Sequence, residues 1–426
     1  MRFPAYLLAK VPMLRILLFS ALFCAVSPAF AQSIPHDSRT AAGFQLREGD
    51  FLVNRGLWEE ALSAYTMAIE LDPDYAQAYL RRANLYRHRQ EFSLAIADYN
   101  RAILLNPFAE AFYDARIRTR ILAMDLEGAE QDLADSRKVL PDQPGVREQR
   151  ADAYLMLENY QAAEAELAPL LAAEFMDTVL ALKQSQVLLG QGSLQEAEAA
   201  ARRALDLNPL SSVAQDQLGV VLMAQGNYEQ ARQAFEQALE LNPEFALARF
   251  NRGMASLRLG NLDEALSDMN QAMALSRDFP NMHFARALTR KSLGDWGGAL
   301  QDYNKALGFD AGFQQALFNR AVTRKLLGDY DGARRDAEQL LRLSPNDPQI
   351  WNLRGNVALL FDQFTEAISH YSQAISMNPD YAEAHHNRGI AYLMRLEPLR
   401  GCPDLQISAS KGYTPSDQVM AAFCSP

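Results

Sequence analysis

The sequence predicts an all-α solenoid of about eleven helix–turn–helix units, 34 residues each, closed by a short C-terminal helix. Three observations predict it. Pro73, Pro107, Pro141, Pro209, Pro243, Pro345 and Pro379 fall on one comb of 34-residue spacing. Alanine occupies the same place in ten consecutive units, from Ala61 and Ala95 to Ala333 and Ala367. Glycine recurs between the two apolar-periodic halves of a unit, at Gly56, Gly192, Gly226, Gly260, Gly294 and Gly328.

Residues 1–31 read as a secretory signal. Arg2, Lys10 and Arg15 precede the apolar run 16–26, and Ala29-Phe30-Ala31 supplies a small-x-small cleavage site, so the mature chain is expected to begin at Gln32 in the periplasm. Met13 opens a shorter signal of the usual form, and both Met1 and Met13 are candidate starts. Cys24 follows Phe23, where a lipoprotein signal needs a small residue, which argues against a lipid anchor. No later stretch is apolar for eighteen residues, so no membrane span is expected after the signal. The leader carries three positive charges and no acid, so its removal takes the net charge from −11 to −14. Such a chain repels phosphate backbones, which excludes nucleic acid as a partner.

Residues 32–41 form a linker. With the comb prolines at position 32, units start at Ala42, Ala76, Glu110, Pro144, Thr178, Ser212, Ala246, Pro280, Gln314, Pro348 and Ala382. Positions 1–14 and 18–31 carry apolar residues at helical spacing. Glycine at position 15 suits the left-handed end of the first helix, proline at position 32 stops the second, and the alanine at position 20 marks a close helix crossing. Units 4 and 5 depart from the pattern: Phe175 replaces the proline and Pro169 falls inside a helix. Residues 165–178 are therefore read either as a hinge between an N-terminal arm (42–177) and a C-terminal arm (178–415), or as a local bend. The eleventh unit weakens, its second helix is expected over 402–411, and 416–426 form a capping helix and tail.

Cys402 and Cys424 flank those last two helices, where an antiparallel hairpin would bring them together as a disulfide. A reactive or metal-binding pair is the other reading, but no histidine or acid cluster flanks them at ligand spacing.

Position 7 is arginine in eight units, and seven of these carry an acid at position 23: Arg82/Asp98, Arg116/Asp132, Arg150/Glu166, Arg252/Asp268, Arg286/Asp302, Arg320/Asp336 and Arg388/Asp404. Arg354 faces His370 instead. Where position 7 is Glu48, Gln184 or Leu218, position 23 is alanine. Pairing within the unit fits better than pairing with the preceding one, so each pair is read as a structural clip across the hairpin. No HExxH, GxSxG or phosphate-cradling glycine loop occurs, and the unbroken comb leaves no room for a catalytic domain. Neither catalytic residues nor a cofactor nor a metal site is expected.

Gly219, Ala231, Phe235, Ala238 and Pro243 in one unit, and Trp351, Gly355, Ala367, Tyr371, Ala374 and Pro379 in another, resemble the pattern of tetratricopeptide-repeat (TPR) proteins. The resemblance covers about residues 42–400. It implies a right-handed superhelix, a concave groove faced by positions 2, 5, 9 and 12 of the first helices, and a role as a binding scaffold. On those positions stand Val220, Met223, Phe250, Met254, Leu257, Phe284, Leu288, Phe318 and Val322, followed by Lys291 and Lys325. This apolar ladder is read as a groove for a protein or peptide with an apolar segment; burial of the ladder against itself, or self-association, are the alternatives. The N-terminal arm shows Asp114, Arg118, Glu148 and Asp152 on that face. Some family members clamp a chaperone's C-terminal carboxylate; Asn356 and Asn387 match two of their asparagines, but Asn352 stands where lysine is required. The other functional reading, an accessory subunit of envelope polysaccharide or cell-wall assembly or secretion machinery, would show aromatic platforms in the groove, whereas Trp58 and Trp296 are expected in inter-helix turns.

Overall fold

The computed structural model describes residues 38–140, 142–173, 177–275 and 280–424. The expected signal, its cleavage site and residues 174–176 of the expected hinge lie outside the described residues. Those described form 23 helices in eleven hairpins plus a closing helix. The hairpins are α1 (Ser38–Asn54) with α2 (Trp58–Leu71), α3 (Ala76–His88) with α4 (Phe92–Leu105), α5 (Glu110–Leu122) with α6 (Leu126–Val139), and α7 (Pro144–Met156) with α8 (Tyr160–Leu171). Next come α9 (Thr178–Gln191) with α10 (Leu194–Leu207), α11 (Ser212–Ala224) with α12 (Tyr228–Leu241), α13 (Ala246–Leu259) with α14 (Leu262–Leu275), and α15 (Pro280–Ser292) with α16 (Trp296–Phe309). The last are α17 (Gln314–Leu326) with α18 (Tyr330–Leu343), α19 (Pro348–Leu359) with α20 (Phe364–Met377), and α21 (Ala382–Met394) with α22 (Pro398–Ser410), closed by α23 (Pro415–Phe423).

The repeat columns explain the packing. All ten alanines at position 20 are fully buried. They let the helices of a hairpin cross closely enough for position 8 to receive the side chain at position 24. At Gly219 a Cβ would stand 2.5 Å from the Phe235 ring, so only glycine fits there. The turn is the same throughout: position 15 is left-handed in every repeat. Six repeats place glycine there, and the other five hold Gln90, Met124, Glu158, Asp362 and Leu396 at φ between 54° and 62°. Sequence shows only the glycines, because the backbone of the repeat enforces the conformation even where a side chain opposes it.

Three expectations are corrected. Residues 38–41, expected as the end of the linker, form the first turn of α1. The last second helix begins at Pro398, not at residue 402, since proline fits the first helical position where no hydrogen bond is needed. Trp58 and Trp296 open α2 and α16 rather than lying in the turns before them. Pro169 sits inside α8, which ends two residues later at Leu171.

The chain divides into two compact units, 1–243 and 244–426. On either side of residues 174–176, Leu170 and Leu180 belong to one hydrophobic core cluster of the first unit. Among the described residues no helix is long and apolar enough to cross a membrane.

Candidate functional site

The arginine column forms the most regular polar structure in the molecule. In α3, Arg82 donates from Nε and Nη2 to the two carboxylate oxygens of Asp98 at 2.7 and 2.8 Å. The same fork joins Arg116 to Asp132, Arg252 to Asp268, Arg286 to Asp302, Arg320 to Asp336 and Arg388 to Asp404, at 2.6–3.0 Å. Arg150 meets Glu166 less regularly, at 3.1–3.2 Å, and Glu166 also draws Arg137 from the preceding hairpin and Arg147 from its own. Lacking an acid at position 23, Arg354 reaches Glu338 and Glu366.

The arginine does more than clip its own hairpin. Its remaining Nη1 donates to position 25 of the preceding repeat: Arg116 to Asn100 at 2.7 Å, Arg286 to Asn270 and Arg320 to Asn304 at 2.8 Å, Arg354 to Glu338 and Arg388 to Ser372 at 3.1 Å, and Arg82 to Thr66 at 3.3 Å. One guanidinium thus joins three helices and staples neighbouring repeats. The signal was present in the sequence, because position 25 is an oxygen-bearing residue before these arginines and Ala168 or Arg202 before Gln184 and Leu218.

Three repeats add a second arginine one turn along. Arg120, Arg290 and Arg324 each bind the position-23 acid, Asp132, Asp302 or Asp336, at 2.8–3.0 Å. Each also pairs with an aspartate that caps the second helix: Asp125, Asp295 or Asp329. The cap accepts from the backbone N–H of Gly128, Gly298 or Gly332, where a Cβ would collide with its carboxylate. This Arg, Asp, Gly spacing occurs in those repeats alone, so it too was legible as a pattern. Burial raises Asp132 despite Arg116 and Arg120. At Asp302 burial is opposed by the hydrogen bonds of His283 and Arg286 and the charges of Arg286 and Arg290, which together hold the carboxyl down at about 2.

The apolar ladder divides between the two units. Val220 and Met223 are half-buried on α11 of the first. In the second, α13 carries Phe250, Met254 and Leu257, α15 carries Phe284 and Leu288, and α17 carries Phe318 and Val322. Met254 is buried, and the other six are half-buried. Phe284 rests 4.9 Å from the Phe313 ring and 6.0 Å from Tyr303, so it shows part of a ring rather than a free side chain. Phe318 and Val322 likewise pack on the core. Lys291 continues the face, its Nζ donating to Asn319 at 3.0 Å and its pKa lowered by burial.

Two features escaped the sequence reading. Position 2 carries Val179 and Val213 in the first unit and Leu247 in the second, each about half exposed and more open than the ladder itself. Below the ladder, the buried hydroxyl of Tyr303 has no hydrogen-bond partner among the described residues. Elsewhere the position-24 tyrosine donates to position 9: Tyr65 to Asp50, Tyr99 to Asn84 and Tyr371 to Asn356, at 2.7–2.8 Å. In α15 the ladder residue Leu288 takes the acceptor's place. Asn352, for its part, is occupied by Tyr381, Glu383 and Asn387. On the N-terminal arm Arg118 pairs with Asp114 and Asp152, and Glu148 and Asp152 pair with Lys183 of α9. Among the described residues no group of histidine, cysteine and acid side chains could hold a metal ion. Cys402 and Cys424 lie side by side, with Cα atoms 5.6 Å apart, as bridged cysteines do.

Paired helices of fixed length, an alanine crossing and a shared left-handed turn define a helical-repeat scaffold. Tetratricopeptide-repeat models match residues 76–108, 217–283 and 315–347, and a TPR repeat model matches 49–87 and 362–394. The chain belongs to the tetratricopeptide-repeat family, whose fold serves as a protein–protein interaction scaffold. Over 85 residues it is 31% identical to RNA polymerase II-associated protein 3 of Xenopus tropicalis, a match covering 20% of this chain and 13% of that protein's length. Among solved structures, a tetratricopeptide repeat protein from Parabacteroides merdae is 21% identical, with 58% of this chain and 99% of that one covered at a TM-score of 0.46. YrrB, described as a TPR protein with an unusual peptide-binding site, is 18% identical over 44% of this chain and 96% of its own, at a TM-score of 0.40.

Proposed function

We propose that this chain is a non-enzymatic scaffold of the bacterial cell envelope, exported to the periplasm on the signal in residues 1–31, that holds an apolar protein or peptide segment along α13, α15 and α17. The observation that carries the reading is the row Phe250, Leu257 and Leu288, half-buried and apolar, on successive first helices. Part-exposed rings and flexible aliphatics suit an adaptable contact. In the periplasm Cys402 and Cys424 form a disulfide that pins α23 to α22 at the end of the array.

Because Phe284 and Phe318 rest on the core, the test is made at Leu257 and Leu288. The chain with Leu257→Lys and Leu288→Lys should keep its helicity while losing capture of apolar sequences from a displayed peptide library. Equal enrichment by wild type and variant refutes the groove. N-terminal sequencing of the chain recovered from periplasm should begin at Gln32; recovery from the cytoplasm with residues 1–31 intact refutes export.

A further inference from the structure

The ladder face of α13, α15, α17 and α19 carries no acid. At positions 2, 5, 9 and 12 of these helices the only charges are Lys291 on α15 and Lys325 on α17. In the first unit the same positions hold Asp50, Asp114, Glu148, Asp152 and Asp216. For a chain with 52 acids against 41 basic residues, an acid-free face with two lysines is a local inversion of charge.

The two lysines also lack the partners that other lysines have. Lys138, Lys183 and Lys411 each meet an acid, and Lys305 stands exposed on α16. Lys291 and Lys325 are half-buried, and among the described residues neither makes an ion pair. Asn319 fixes the first of them. Its Nδ2 donates to the Gln315 carbonyl at 2.8 Å, which turns its Oδ1 to accept from Lys291 Nζ at 3.0 Å. The other N–H groups of that ammonium have no acceptor among the described residues. Burial lowers the Lys291 pKa, a cost that a bound carboxylate would offset. Position 12 thus changes along the array, from Leu257 on α13 to Lys291 and then Lys325. Asn352 and Asn387 are bonded to one another and Asn356 accepts from Tyr371, so the two cations stand apart from those asparagines.

We infer that the segment held along α13, α15 and α17 is acidic at one end, with apolar side chains over Phe250 and Leu257 and an Asp or Glu side chain at Lys291 and Lys325. This rests on the groove reading and gives the bound segment a direction. The test uses the whole chain and the displayed peptide library. Sequences selected by wild type should carry Asp or Glu on one side of the apolar stretch. Synthesised with acetylated and amidated ends, such a peptide should bind about ten-fold more tightly than its Asn or Gln counterpart, and the preference should shrink in high salt. Lys291→Gln with Lys325→Gln should keep the helicity by circular dichroism and the capture of apolar sequences, but lose the preference. Lys325→Gln alone, which leaves the Asn319 contact intact, should lose part of it. Selection of apolar sequences without an acid, equal binding of the acid and amide peptides, or a preference that survives the double variant overturns this inference and leaves the groove standing. No selection of apolar sequences at all overturns the groove and this inference with it.

Discussion

Arg82 and Asp98 provide the cleanest measurement of the clip. Their side chains are 18% and 10% exposed, two hydrogen bonds join them, and the Arg82 guanidinium lies 5.8–5.9 Å from the rings of Tyr79 and Tyr86. The bond to Asp98 raises the Arg82 pKa against the opposing effect of burial; with that partner removed the guanidinium still stays charged at neutral pH, as arginine does in proteins. Asp98→Ala leaves that charge in a mostly dry crevice with only Thr66 to accept from it, at a cost of about 3 kcal/mol. Arg82→Met strands the carboxylate but keeps the stem on the tyrosines, and costs about the same. With both replaced no charge is left unpaired, and the loss should fall to about 1–2 kcal/mol, the packing and hydrogen bonds alone. Repeat arrays open locally, so the assay is native-state hydrogen exchange of the amides in α3 and α4, with amides of distant repeats as internal control. A double variant as unstable as Asp98→Ala, or more so, would refute the reasoning.

At the shared turn, Gly226→Ala meets open space yet must hold a left-handed backbone, so it should cost about 1 kcal/mol; Met124→Gly should return a similar amount, and thermal melts of both variants check this. Tyr371→Phe removes the hydrogen bond to Asn356 and should cost about 1 kcal/mol, whereas Tyr303→Phe removes only an unpaired hydroxyl and should be neutral or stabilising in urea unfolding. Asp302, held near 2 against its ordinary 3.8, contributes about 2 kcal/mol above pH 4 that fades as pH falls through 2. Asp302→Asn should flatten that part of the acid-unfolding curve, and an unchanged curve would show that the pairing contributes nothing.

Repeat length, most helix boundaries and the clip acids were legible because they rest on local rules that recur from unit to unit. Pro209 ends a helix and Gly260 turns one by backbone sterics alone, and Ala231 marks a crossing because nothing larger fits. Repetition served as an internal control, since Ala64, Ala200 and Ala234 at position 23 accompany the absence of arginine at position 7.

Tertiary structure decided whatever depends on a neighbouring repeat. Nothing local in α9 to α13 distinguishes the open side chains of Val179, Val213 and Leu247 from the buried Met254; all are apolar residues at helical spacing, and only packing assigns their exposure. Phe284 reads as a groove residue until Phe313 comes to lie against it from the start of α17. Arg320 reads as the partner of Asp336, but its third bond to Asn304 exists only once the hairpins are stacked. Phe44 of α1 and Phe112 of α5 stand at the same place in their repeats, yet Phe44 is exposed and Phe112 buried. Among the described residues no repeat lies over α1, and that follows from position in the array rather than from residue type.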